Sequence, residues 1–229
     1  MSAVKTNKDL IKQPQVSIDG TLPKAPFGLI MVGRSGSGKS TLLYNLMSEM
    51  LKDYFDFILI FSPVKTDDVL KSLELPDENY IQEFDEDSIS SIMSKLEKLL
   101  DDDFEKNVNE CKTLFIFDDI LSEQKLLKSN TMKKIASASR HFNISWIILS
   151  QYYKALPPII RTNASAIVLF PSSRAEIEKF SEEQCLPNMS HQDFVRMVQD
   201  STKKPYSFFY LNHRADHGKK ARSGWDDII

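Results

Sequence analysis

Gly33-Arg34-Ser35-Gly36-Ser37-Gly38-Lys39-Ser40 matches the pattern G-x-x-x-x-G-K-[ST] at every fixed position. That spacing suits one chemistry, the holding of a phosphate chain. Glycines let the backbone bend until its N–H groups converge on phosphate oxygens. A helix starting at the lysine adds the partial positive charge of its N-terminus. Lys39 is then placed to reach β- and γ-phosphates and Ser40 to bind Mg²⁺, with Thr41 near the α-phosphate. A second pair, Asp118-Asp119, closes the apolar run LFIF. Asp118 is placed to hold Mg²⁺ through water, and Asp119 to orient or deprotonate an attacking water. The competing reading of either aspartate is a cap for the next turn. The ligands expected from these residues are ATP and Mg²⁺.

These residues need strands and helices to carry them. FGLIMV (27–32) is an apolar run before the glycine-rich turn. Residues 39–52 place Leu42, Leu43, Leu46, Met50 and Leu51 at helical spacing. Further buried strands are expected at 55–61, 113–117, 144–150, 165–170 and 206–211, with a weaker one at 80–84. Helices are expected at 87–106, 129–141, 157–161, 173–182 and 190–200. The first of these puts Ile89, Ile92, Met93, Leu96, Leu99 and Leu100 on one face. Continuous apolar strands alternating with helices predict an α/β fold, a mostly parallel sheet covered on both faces. Ligands of such sheets sit beyond the carboxyl ends of the strands, where the phosphate loop and Asp118 fall. The expected division is an N-terminal arm over 1–24 with an edge strand at 15–18, a P-loop domain over 25–211, and a basic C-terminal tail over 212–229.

The chain has 229 residues, 41% hydrophobic and 27% charged, which fits one globular α/β domain rather than a disordered chain. No apolar run approaches the ~18 residues that span a bilayer, so no membrane segment is expected. The polar N-terminus lacks the apolar core of a signal peptide. Cys111 and Cys185 are too few for a disulfide framework, which points to a reducing compartment. With 29 Lys+Arg against 32 Asp+Glu the net charge is −3, which argues against a surface basic all over for nucleic acid. The charge is uneven: 203–222 holds Lys203, Lys204, Arg214, Lys219, Lys220 and Arg222 against Asp216. That segment reads as a solvated tail or a local phosphate contact.

No Asn-Lys-x-Asp stretch is present to read a guanine base. Arg140 instead precedes the strand ISWIILS, Gln151 ends it, and LPPIIRTNAS (156–165) follows. On these stretches, and on the closing Gly224-Trp225-Asp226-Asp227-Ile228-Ile229, the chain resembles the FtsK–HerA superfamily of ring-forming DNA pumps. It is most similar to the poxvirus-type genome-packaging ATPases of large DNA viruses and virophages. The resemblance covers residues 25–229. It implies a RecA/ASCE-like P-loop ATPase that works as a homo-oligomeric ring, a hexamer or pentamer. Its partners would be double-stranded DNA and a viral capsid or portal vertex. Its place would be the host cytoplasm (the virus factory) or the virion. By the same resemblance Gln151 senses the γ-phosphate, and Arg140 is an arginine finger for the neighbouring subunit. Arg161 is a second candidate for finger or phosphate contact, and Asn163 supports that region. The chain departs from many superfamily members in ending its strand with Asp-Asp instead of Asp-Glu. A cellular-type DNA translocase or helicase, and an ATP-bound assembly scaffold that does not pump, stay open as alternatives. A small-molecule kinase is weaker, since the Arg-rich segment is confined to the C-terminal tail.

Overall fold

The structure is a computed structural model that describes residues 21–63, 68–105 and 111–229, the side chains of 99–105 apart. The expected strand at 15–18, most of the arm, and the side chains of Leu99 and Leu100 lie outside it. In chain order the strands are β1 (Gly28–Val32), β2 (Phe57–Phe61), β3 (Tyr80–Ile81), β4 (Thr113–Phe117), β5 (Ile144–Ser150), β6 (Ala166–Leu169), β7 (Phe209–Asn212), β8 (Ala221–Ser223) and β9 (Asp227–Ile228). They form one sheet in the order β3-β2-β4-β5-β1-β6-β7-β8-β9. The stretch from β3 to β6 is parallel. The stretch from β6 to β9 is antiparallel.

The helices are α1 (Lys39–Asn45), α2 (Asp68–Lys71), α3 (Glu86–Glu105), α4 (Gln124–Leu127), α5 (Asn130–Ala138), α6 (Pro158–Asn163), α7 (Arg174–Gln184) and α8 (His191–Ser201). A π-helical turn, Leu46–Met50, continues α1. Helices α5, α7 and α8 start on Ser129, Ser173 and Ser190, whose hydroxyls accept from the backbone N–H three residues on.

The central strands are apolar throughout because both their faces are covered. Leu29, Met31, Leu114, Ile116, Ile147 and Leu149 point to the side packed by Leu43 and Leu46 and by Leu70 of α2. Ile30, Val32, Phe115, Phe117, Trp146 and Ile148 point to the side packed by Ile89, Met93, Ile135, Phe180 and Phe194. The period of two along each strand thus feeds two cores.

Three expectations change. The strand at 80–84 shrinks to Tyr80–Ile81. The last expected strand starts at Phe209, and Tyr206 stands before it in a turn with φ +63°. Residues 212–229, expected as a basic tail, continue the sheet through β8 and β9. Arg222, read as a possible phosphate contact, is buried, and its Nη1 donates to the Trp225 carbonyl at 2.8 Å. The indole of Trp225 packs edge-on against Phe208 and Tyr210. Aromatic burial draws this segment into the fold despite its charges.

β1 and β5 pair with Gly28 opposite Trp146. A Cβ at Gly28 would lie 2.1 Å from Cζ2 of that buried indole. Gly28→Ala should therefore overpack the centre of the sheet and destabilise the protein by about 1–3 kcal/mol. Urea unfolding followed by tryptophan fluorescence checks this; an unchanged midpoint would mean that the ring has room to shift.

Candidate active site

Strand order brings the chemistry together. β5 lies between β1 and β4, and the chain crosses over β1 from β5 to β6, so β1 marks the switch point of the parallel sheet. Gly33 follows β1 and donates its N–H to the Ser150 carbonyl at 3.0 Å. Asp118 follows β4 and donates its N–H to the Phe61 carbonyl at 2.9 Å. Gln151 follows β5 and stands between them.

A pocket of about 360 Å³ opens there, lined by Ser35, Gly36, Gly38, Lys39, Ser40, Thr41, Asp118, Asp119, Leu149, Ser150, Gln151 and Tyr206. Ten of these twelve lining groups are polar residues or loop glycines, the surface a solvated phosphate chain requires. Gly33, Arg34 and Ser37 complete the loop without lining the pocket. Gly38 is the N-cap of α1 with φ +98°, a left-handed conformation that costs glycine little. Its carbonyl accepts from the Leu42 N–H at 2.8 Å, so the helix starts at the lysine as expected.

Lys39 folds back over its own loop. Its Nζ donates to the carbonyls of Gly33 at 2.6 Å and Arg34 at 3.1 Å. Burial lowers its pKa, and the nearby carboxylates of Asp118 and Asp119 oppose that shift. Asp119 has φ +51°, in the left-handed region that aspartate tolerates better than most residues. Its Oδ1 accepts from Gln151 Nε2 at 3.3 Å. The Ser40 hydroxyl and the Asp118 carboxylate share the pocket, and both are hard oxygen donors of the kind that Mg²⁺ prefers. Mg²⁺ sites in general use one or two protein oxygens beside water and phosphates, so these two residues would suffice to hold it.

The two arginines separate. Arg140 lies in the 3₁₀ turn Ser139–Phe142 that leads into β5. It is exposed and makes no ion pair among the described residues. The seven residues of β5 put it roughly 20–25 Å from the pocket, at the amino ends of the parallel strands. Arg161 does not line the pocket. Its Nε and Nη2 donate to the two carboxylate oxygens of Glu183, each at 2.8 Å, and its Nη1 donates to the Leu156 carbonyl. A finger or phosphate contact needs a free guanidinium, and this one is buried and occupied. Asn163 uses its amide to bond the Ile159 carbonyl within α6 at 2.8 Å. Tyr206 lines the pocket from the turn before β7, although the sequence pattern placed it in a strand.

A family model described as the poxvirus A32 protein matches residues 18–215. The chain belongs to the poxvirus A32 family. DNA packaging protein OPG160 of Variola virus is 32% identical over 159 residues, covering 69% of this chain and 57% of that protein. The protein of the same name from Vaccinia virus (strain Copenhagen) matches with the same identity and coverage. The chain thus spans little more than half the length of these relatives. Among solved structures, the genome packaging NTPase B204 from Sulfolobus turreted icosahedral virus 2, in complex with ATP-γ-S, aligns with a TM-score of 0.60 at 18% identity. That alignment covers 82% of this chain and 92% of B204. EssC (ATPases 2 and 3) from Geobacillus thermodenitrificans aligns with a TM-score of 0.60 at 17% identity, over 83% of this chain and 38% of EssC. These likenesses show the P-loop ATPase fold that the sequence predicted.

In this A32-family chain a polar layer fixes the segment that follows Gln151. The Glu176 carboxylate accepts from the backbone N–H groups of Tyr153 at 2.6 Å and Lys154 at 3.2 Å. The Tyr153 hydroxyl donates to Glu183 at 2.9 Å and accepts from Gln184 at 2.9 Å. Sequence reasoning missed Glu176, Glu183 and Tyr153, because their partners lie 22–31 residues away.

Glu183 makes this layer sensitive to pH. Burial would raise its pKa, but hydrogen bonds from Arg161, Tyr153 and Lys179 outweigh burial and hold it down at about 2. The folded value lies below the unfolded one, near 4.3. The resulting stability is therefore full above the unfolded value and is lost as pH falls toward 2. The group is partly open to solvent, so its contribution is on the order of 2 kcal/mol. Glu183→Gln should be less stable than wild type at pH 7, and the gap should narrow between about pH 4.5 and pH 2. Urea titrations of both proteins across that window check this; a gap independent of pH would reject the assignment.

Proposed function

We propose that this chain is an ATP-driven motor subunit that moves double-stranded DNA into a viral capsid. One observation carries the chemistry: Lys39, Ser40, Asp118, Asp119 and Gln151 face one pocket at the switch point of the sheet. The DNA part of the reading rests on membership of the A32 family and on the DNA packaging role in the names of its relatives. The full activity, the capsid or portal partner, and the location in a virus factory or virion belong to this proposal.

The residues divide the work. Backbone N–H groups from Ser35 to Thr41 and the Lys39 ammonium bind the phosphates. Lys39 exchanges its bonds to Gly33 and Arg34 for bonds to phosphate oxygens. Ser40, and Asp118 through water, would hold Mg²⁺, which would supply neutralisation of phosphate charge. Asp119 orients and deprotonates the attacking water, and Gln151 fixes that carboxylate while sensing the γ-phosphate. Hydrolysis of the β–γ bond then alters the bond between Gln151 and Asp119.

Arg140 is too far from its own pocket to act in cis. In a head-to-tail ring, different faces of adjacent subunits meet. A free guanidinium at the amino ends of one subunit's strands can then enter the next subunit's site and stabilise transition-state charge. Net charge −3 suits a pump in which only the pore lining touches DNA.

The decisive experiment is ATP hydrolysis with and without long double-stranded DNA, at concentrations where the protein self-associates. Stimulation by DNA and its loss in Lys39→Ala are expected. Arg140→Ala should cut turnover by about 10³-fold while retaining ATP binding. Mixing it with Asp119→Asn should restore part of the rate, since one partner brings a finger and the other a working site. Full activity of assembled Arg140→Ala would sink the trans role. Assemblies that bind ATP but never hydrolyse it would favour the scaffold.

A further inference from the structure

A second cavity, of about 430 Å³, adjoins the phosphate pocket. It is lined by Gly38, Thr41, Leu42, Asn45, Phe170 and Tyr206. Gly38, Thr41 and Tyr206 line both. The two spaces therefore form one trough, and they meet beside Thr41. The first half is polar and suits phosphates. The second has a different character. Phe170 forms its buried floor, Leu42 an aliphatic wall, and Asn45 an exposed amide at its rim.

Tyr206 stands over the junction and is unusual in two respects. It is 69% exposed, although most aromatic side chains of this protein are buried. It also has φ +63°, a backbone conformation that bulky side chains rarely adopt and that is held at a cost by surrounding structure. The turn that holds it there is tied by the Ser207 N–H and hydroxyl, which donate to the Lys204 carbonyl at 3.1 and 2.7 Å. Gly38 leaves room for the ring; a Cβ there would meet Tyr206 Cδ1 at 3.3 Å. The floor is equally fixed. Phe170 packs against Phe208 at 5.7 Å between ring centroids, and Phe208 against Trp225 at 5.1 Å. The C-terminal strands thus buttress the cavity from behind.

We infer that this cavity takes the purine ring of the nucleoside triphosphate, stacked on Tyr206 and edged by Asn45. The inference rests on the phosphate site described above. A triphosphate whose α-phosphate lies near Thr41 must continue into this space with its sugar and base. An exposed, prepositioned aromatic face stacks on any base, and more strongly on a larger ring system. The Asn45 amide offers a donor and an acceptor side by side, which matches the N6 and N7 edge of adenine. Tyr206 is then a binding and specificity residue, and it takes no part in phosphoryl chemistry.

The test compares two ligands that differ only in the part at issue. Binding of a non-hydrolysable ATP analogue and of inorganic tripolyphosphate, both with Mg²⁺, is measured by calorimetry for the full chain, for Tyr206→Ala and for Tyr206→Phe. Tyr206→Ala should weaken the ATP analogue about tenfold and leave tripolyphosphate unchanged, and Tyr206→Phe should bind both like wild type. The exposed position makes misfolding of these variants easy to exclude by their unfolding midpoints. Equal weakening of both ligands would assign Tyr206 to the phosphate loop and overturn the inference, as would an ATP affinity that ignores Tyr206→Ala. Wild-type protein that binds tripolyphosphate as tightly as the ATP analogue would reject the base site alone. Failure to bind either ligand would reject the phosphate site and the base site together.

Discussion

The pocket depends on the insertion of β5 between β1 and β4, in parallel with both. Strands lie ~4.8 Å apart, so this order sets the phosphate loop and the Asp118 strand end roughly 10 Å from one another. Gln151, at the end of β5, stands between them. The register is held by side chains that are fully buried on both faces, Ile147 and Leu149 on one and Trp146 and Ile148 on the other. A slip of one residue would exchange the two sets and carry Gln151 out of reach of Asp119. The hydrophobic burial of strands thus fixes a polar geometry that no local interaction in the pocket could hold alone.

Rigidity and freedom are distributed unevenly around that frame. The segment after Gln151 is clamped through its backbone by Glu176 and stacked behind by Tyr153, Glu183 and Arg161. Replacing such a layer with apolar groups need not destabilise a protein, but removing one member leaves the others buried and unpaired. In the pocket the bonds are made by side-chain tips. Gln151 meets Asp119 at 3.3 Å, and Lys39 rests on its own loop carbonyls.

The two ends of the parallel strands also differ chemically. The carboxyl ends of the parallel strands carry the loop, the aspartates and the glutamine. The amino ends carry Arg140, close enough to Arg214 to lower the pKa of that arginine beyond the larger effect of its burial.

The amino-acid sequence alone determined the phosphate loop, since Gly33–Ser40 is contiguous and each residue acts on its neighbours. It also determined the apolar runs that became β1, β2, β4, β5 and β6, because strands buried on both faces need a continuous composition. Strand order was not legible, and neither was the bond between Gln151 and Asp119, residues 32 apart. The two arginines look alike in sequence, as cations at helix ends. Only packing against Glu183, 22 residues away, buried Arg161 and left Arg140 exposed. The basic composition of 212–229 suggested a solvated tail, but Trp225 and the pairing of β8 with β7 drew it into the sheet. Tyr206 read as the start of a strand until its positive φ turned it over the pocket. In each case the deciding energy came from contacts distant along the chain, which local pattern and propensity cannot encode.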